Sequence, residues 1–332
     1  MVTLVFTEPI TPAGAGIKVY SPSGNQVAGP AIARGSVLSA RISSSETGTF
    51  VVSWQVLASD THPSRGAFRF VVAGPSSNPY SPLLTGGEIG TATPLGFLLQ
   101  ALARWVHFAG FALAFGVTAY GVLIRREQRL KGLVAAGVAL LVAAEPLALI
   151  GQLASLSFDG DTAIAVLASG FGRLLALRLA GALLVWALWA IKSPWPVLGI
   201  GLAVALIDGA AAHSIPGLPV AGQLLVAIHV AVMGLWVGGL AAYLSAPDRR
   251  FGRPAALLFA ITIMSGLLLA VTHVGLLQAL MTSAYGQVLM IKVLVVGAAV
   301  AMALLRRRRL ELGVLLAVLA AAAVLAALPP PR

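Results

Sequence analysis

Three sets of residues in this sequence could do chemistry. The first is Asp60-Thr61-His62-Pro63. A carboxylate and an imidazole two residues apart share one face of an extended segment. Such a pair can ligate a divalent metal with a third ligand from elsewhere, or simply sit solvated at a strand end. The second set is histidines: His107, His213, His229 and His273 lie within or at the ends of apolar segments. Neutral imidazoles and thioethers are ligands for soft and borderline transition-metal ions. Met233, four residues after His229, lies on the same helix face. Met264, Met281 and Met290 are further thioethers, although Met also fills cores. A lone membrane histidine otherwise serves as a hydrogen bond between helices. The third set is Glu145, Arg178, Asp208 and Lys292, all inside apolar stretches. A charge on a lipid face costs roughly 3 kcal/mol or more, so these side chains should face inward and pair. Arg178 and Lys292 can neutralise Glu145 and Asp208, which makes an ion-pair network holding helices together. Glu145 precedes Pro146, which frees backbone carbonyls and could open a polar pocket. With no cysteine, disulfides, thiolate metal sites and cysteine-attached haem are excluded.

Composition states what must position these residues. The chain has 332 residues, 58% of them hydrophobic and 10% charged, with a mean hydropathy of +0.93. That is a polytopic membrane protein, with the lipid bilayer as its solvent. Eight apolar stretches are long enough for membrane helices: 96–124, 132–154, 171–191, 195–213, 222–244, 254–273, 286–305 and 310–328. The stretch 222–244 carries His229 and a glycine face, Gly234, Gly238 and Gly239, on which another helix can approach closely.

Residues 1–73 differ from the rest. Alternating apolar runs predict strands at Val2–Thr7, Ile17–Tyr20, Val37–Ser43, Thr49–Leu57 and Ala67–Val72, a small all-β sandwich with Trp54 as a core anchor. Residues 74–94, rich in Pro, Gly, Ser and Thr, are expected to be a linker. Residues 95–332 then form an all-α bundle of eight helices.

The net charge of +11 does not argue for nucleic acid. The basic residues sit in alternate connections: Arg125 to Lys131, Lys192, Arg249 to Arg253 and Arg306 to Arg309. The connections 155–170, 214–221 and 274–285 have no Lys or Arg. The positive-inside rule puts the basic loops in the cytoplasm and both the β-domain and the C-terminus outside the inner membrane. Since no signal peptide precedes the first strand, we expect the sequence to begin late, with an upstream signal and a first strand missing.

The membrane part repeats itself. Trp105-Val-His107-Phe-Ala-Gly110 has an echo in Ala227-Ile-His229-Val-Ala-Val232, and Phe171-Gly172-Arg173 through Arg178 in Tyr285-Gly286-Gln287 through Lys292. The pairs keep one orientation, as in two four-helix halves related by a parallel repeat. His107 and His229 then occupy equivalent helices, which is what a bis-histidine b-type haem would need.

Two resemblances join these observations. Phe6-Thr7-Glu8-Pro9, Phe50-Val-Val-Ser-Trp54 and Asp60-Thr-His62-Pro63 resemble the CopC copper-binding domain in order and spacing. The resemblance implies copper ligands at Glu8, Asp60 and His62; the family's N-terminal histidine has no counterpart here. The membrane part is similar to CopD in Ala212-His213-Ser214, in His229 through Trp236-Val-Gly238-Gly239-Leu240, in Arg250-Phe251-Gly-Arg253 with Ser265-Gly266, and in Tyr285-Gly286 through Lys292. The two together resemble the CopC–CopD fusion family. That implies copper uptake or resistance, with copper as the metal and periplasmic copper chaperones as partners. Candidate metal ligands are therefore Glu8, Asp60, His62, His213, His229 and His273. No P-loop and no Asp-Lys-Thr-Gly phosphorylation motif occurs, so no enzyme activity is expected and copper would move passively or with the membrane potential. A haem-binding electron carrier and a non-transporting copper sensor or scaffold are the other readings.

Overall fold

The computed structural model describes residues 1–6, 9–58, 63–85, 93–191, 193–212, 215, 218–274 and 277–328. Glu8, Asp60, His62 and His213 lie outside the described residues. By contacts the chain divides into two compact units: Met1–Leu99 with Leu149–Arg173, and Gln100–Ala148 with Leu174–Arg332.

In the first unit, six strands form two antiparallel sheets. One has the order β1 (Val2–Val5), β4 (Val37–Ala40), β3 (Ile32–Arg34); the other β2 (Ile10–Tyr20), β5 (Gly48–Ala58), β6 (Pro63–Val72). The alternation of apolar residues turns Ile17, Val19, Leu38, Phe50, Val52 and Val56 into one core between the sheets. Trp54 is half-buried at the rim of that core. Its ring meets Phe6 edge-on at 5.3 Å and lies over Gly66, where a Cβ would come within 2.8 Å. The strands differ from the expected ones in their ends, with β6 beginning at Pro63 rather than Ala67 and β4 ending at Ala40 rather than Ser43, and most of all in β3 and β2. β3 is a three-residue strand that alternation could not reveal, and β2 begins seven residues before Ile17. The added residues Pro12 to Gly16 look like a turn in sequence, and a register shift between Pro12 and Ile17 accommodates them as a bulge. Gly14 and Gly16 take φ of +54° and +68° there, which only glycine adopts without strain.

The Pro/Ser-rich stretch after β6 begins by packing back on the sheet. The buried Asn78 donates to the carbonyls of Ser21 and Thr49, both at 2.9 Å, and Tyr80 stacks on Tyr20 at 3.6 Å.

The helices follow. α1 (Pro94–Phe111), a π-helical segment (Ala112–Gly116) and α2 (Val117–Leu123) form one continuous apolar span of 30 residues. Then come α3 (Leu130–Ser155), the short α4 (Gly160–Ala168), α5 (Gly170–Ala190), α6 (Pro194–Ala210), α7 (Pro219–Ser245), α8 (Gly252–His273), the short α9 (Leu277–Thr282), α10 (Ala284–Leu304) and α11 (Arg308–Ala327). Seven of these segments are long and apolar enough to cross a membrane; the eighth, α6, is apolar but has 17 residues. The expected eight apolar segments are therefore all helical. Three open on proline, at Pro94, Pro194 and Pro219, where the missing N–H costs nothing.

Within the second unit two of the apolar cores each centre on a set of four segments. Phe111, Phe115, Leu141, Val185, Val197 and Val204 join the first span to α3, α5 and α6. Met233, Trp236, Leu240, Ala299, Leu315 and Leu319 join α7 to α10 and α11, with Leu258 and Phe259 of α8 packed against them. The second core also takes in Trp105, Phe108 and Ala112 of the first span, and a further core joins Val117, Tyr120, Leu130 and Val134 to Ala242, Ala246 and Phe251, so packing crosses the boundary of the sequence repeat.

The halves meet through glycine. A Cβ on Gly238 of α7 would overlap the Ala112 carbonyl, and one on Gly116 would overlap the Gly234 carbonyl. The π segment thus lies backbone to backbone on α7, the close approach that Gly234 and Gly238 were expected to permit. On its other side, a Cβ on Gly137 of α3 would overlap the Ala114 amide.

Gly238→Val should therefore lower the stability of the detergent-solubilised protein by about 3 kcal/mol, the upper range for overpacking a tight contact. Gly297→Val, where an added Cβ meets nothing within 4 Å, should leave the melting temperature unchanged. Thermal unfolding followed by circular dichroism checks both.

Candidate functional site

Four helices of the second unit converge on His107 of α1. Its Nε2 lies 3.0 Å from Asp208 Oδ2 of α6, and its Nδ1 lies 3.3 Å from Glu145 Oε1 of α3. Arg178 Nη2 of α5 approaches Asp208 Oδ1 at 2.7 Å. His107, Glu145 and Asp208 are buried. Backbone closeness makes the cluster possible: a Cβ on Gly110 would come 2.8 Å from the Leu141 amide, so α1 and α3 touch one turn beyond His107. Pro146 supplies no N–H to the Val142 carbonyl, which loosens α3 beside Glu145.

The charges balance. Two carboxylates face one guanidinium and one imidazole whose two nitrogens both point at carboxylate oxygens. The set is neutral when His107 carries a proton. Either His107 is an imidazolium or a carboxylic proton fills the gap to Glu145; in neither form does His107 keep a lone pair for an iron or copper ion. That removes the histidine pair on which a bis-histidine haem would depend.

The sequence reading paired Arg178 and Lys292 with Glu145 and Asp208. The structure keeps Arg178 with Asp208, and gives Glu145 to His107 instead of Lys292. Lys292 lies on α10, in the other set of four segments. His107 as the centre of the ion-pair network was missed. The partners come from α3 and α6, and no local periodicity says which helix face meets α1.

His229 of α7 has a different environment. Its Nδ1 lies 2.9 Å from Ser265 Oγ of α8. Ser265 spends its single hydroxyl proton within its own helix, on the Ile261 carbonyl at 2.7 Å. With its proton spent there, the Ser265 oxygen can accept from His229 Nδ1, and in that tautomer Nε2 carries the lone pair. A Cβ on Gly266 would come 3.1 Å from the ring, so glycine leaves room for the imidazole on the face of α8. The charge of Lys292 acts on His229 from α10. Met233, one turn on, is buried in the core with Trp236 and Leu240. Met264 and Met281 are exposed.

His273, at the end of α8, donates from Nδ1 to the Leu269 carbonyl at 2.8 Å, which leaves its Nε2 lone pair outward. Its ring stacks beside Tyr285 with centroids 6.4 Å apart. Among the described residues no three His, Asp or Glu side chains converge as a metal cage. His229 and His273 are thus single imidazoles among the described residues, each holding a hydrogen bond through Nδ1.

The class these features define is a multi-pass membrane protein with an N-terminal β-domain. The family model of the CopC domain matches residues 1–73, and that of copper resistance protein D matches residues 245–311. Both matches in one chain, in that order, are consistent with a CopC–CopD fusion and indicate a copper-resistance-related membrane protein. No curated protein and no solved structure matches the chain. The copper resistance protein D match covers α8 to α10, with Ser265, His273 and Lys292. The His107 cluster and His229 lie outside both matched spans.

Removing one member of the buried cluster leaves an unpaired charge in a low-dielectric interior, which costs about 3–5 kcal/mol. Asp208→Ala should therefore lower the melting temperature sharply. Asp248→Ala, which removes an exposed pair with Arg250 and a cap on the Arg250 amide, should lower it far less. Equal effects of the two would contradict the role of the cluster.

Proposed function

We propose that this protein carries copper ions across the inner membrane, inward from the side of the β-domain, with no catalytic step. The single observation that supports this best is His229. With Ser265 accepting from Nδ1, a neutral imidazole offers Nε2 inside the bundle, and the Lys292 charge on α10 favours that neutral form. Such a nitrogen suits copper, for which imidazole and thioether are good ligands. His213 and His273, at the ends of the fourth and sixth apolar segments, would be entry ligands. Glu8, Asp60 and His62 would capture the ion on the β-domain, from solution or from a periplasmic copper chaperone.

Direction follows from charge. Every basic connection falls on one side of the helices and none on the other. The positive-inside rule makes the basic side cytoplasmic and places the β-domain and C-terminus outside. An inside-negative potential then favours cation entry by roughly 2.3 kcal/mol per charge per 100 mV. The buried His107 cluster serves as the structural counterweight: it holds the first half together and offers copper nothing.

Cells carrying the gene should accumulate more radiolabelled copper than cells without it. His229→Ala should cut that accumulation at least tenfold. Ser265→Ala, which frees the tautomer but keeps the ligand, should cut it less. Equal uptake with and without the gene would favour a sensor or scaffold over a transporter. The purified protein should show no Soret band; a strong one would restore the haem reading.

A further inference from the structure

The connection between α3 and α5 is built, not loose. Asp159 caps α4, accepting from the Thr162 amide at 2.8 Å and from its hydroxyl at 2.9 Å. Hydrogen bonds from Ser157 and Thr162 hold the Asp159 carboxyl down to about 2, so the cap is charged throughout the physiological range. One face of this helix is buried: Val166 and Thr162 both have no exposed surface. Val166, with Leu156 from the end of α3, forms one apolar cluster with Ala13 of β2 and Leu57 of β5. The β-domain therefore docks on this connection, and all of the contact lies within one compact unit.

The bulge in β2 fits this dock. A plain strand would suffice for the sandwich, yet residues 13–16 swing out between Pro12 and Ile17. A Cβ on Gly14 would come 2.7 Å from Thr162 Oγ1 and 3.2 Å from Gln55 Nε2, so α4 sits directly on the bulge. Gln55 braces it from β5 by donating to the Ala13 carbonyl at 3.0 Å. The chain entering α1 is fixed to the same place. Thr93 donates to the Ala154 carbonyl at 2.7 Å, and a Cβ on Gly96 would overlap Ser155. The docked end is the one where Ile10 pairs with Ala58 and Leu57 with Pro63. In the chain, Glu8 lies just before that end of β2, and Asp60 and His62 lie between Ala58 and Pro63.

We propose that α4 is a docking platform that holds the β-domain, at the bulge of β2, on the adjoining ends of α1 and α3, so that an ion bound by the domain passes on without the domain detaching. The inference rests on the copper reading above for its cargo, but not for the dock itself. Ala13 and Val166 are the residues that set it, one on each side.

The chain has no cysteine, which makes the test clean. In full-length protein in membranes, Ala13→Cys with Val166→Cys should form a disulfide on mild oxidation with diamide, read by peptide mass. Ala13→Asp alone and Val166→Lys alone should each lower radiolabelled copper uptake at least fivefold at unchanged membrane protein level. The two together, now an opposite-charge pair, should restore it, which a misfolded variant would not do. Absence of the disulfide, or wild-type uptake by both single variants, would overturn the proposal. Absence of uptake by the wild type would instead overturn the copper reading and the hand-off with it, and the disulfide would then report on the dock alone.

Discussion

The close contact between the first membrane span and α7 is what the rest of the bundle depends on. In lipid there is little hydrophobic force between helices, so packing at small residues decides which helices meet. Gly234 and Gly238 remove every side-chain atom that would separate α7 from the π segment at 112–116. Gly137 does the same for α3 on the opposite side. The π turn carries one more residue per hydrogen-bonded turn than an α-helix and re-aims the faces around it. His107 sits five residues before that turn, on the span held by both glycine contacts. His229 sits five residues before Gly234, on the partner helix. The two histidines are positioned by one joint.

That joint separates two treatments of the same element. In the first half, His107 meets Glu145 from α3, Asp208 from α6 and, through Asp208, Arg178 from α5. In the second half, His229 meets Ser265 from α8, Lys292 stands where Arg178 stands in the repeat, and the carboxylate of α11, Glu311, pairs with Arg308 at the helix start. Loss of both acids converts a closed, charge-balanced imidazole into a neutral one with a lone pair. The first kind holds charged groups together in lipid, and the second is the kind on which the proposed copper path rests. This chain carries one of each.

Much of this was legible in the sequence. Eight apolar segments, the glycine face of 222–244, the β-character of residues 1–73 and the alternating basic loops all follow from composition and period. The echo of Trp105–Gly110 in Ala227–Val232 suggests two groups of four helices, and the cores follow it only in part, because Trp105, Phe108 and Ala112 pack with the second group. What was not legible depends on tertiary contact. The bulge at Pro12–Gly16 reads as a turn because proline and glycine dominate it, and only the docking of α4 explains its shape. The short helix Gly160–Ala168 is too brief for periodicity to reveal, although Asp159 three residues before Thr162 is a capping signal. The Glu145–His107 pairing joins residues whose facing cannot be read from either helix alone.

The most direct test of the central claim, that His229 passes copper through the bundle, is flux into vesicles reconstituted with the purified protein and holding an inside-negative potential. The account predicts that wild-type vesicles load copper and that vesicles with His229→Ala load no more than protein-free ones. Equal loading by the variant and the wild type would contradict it.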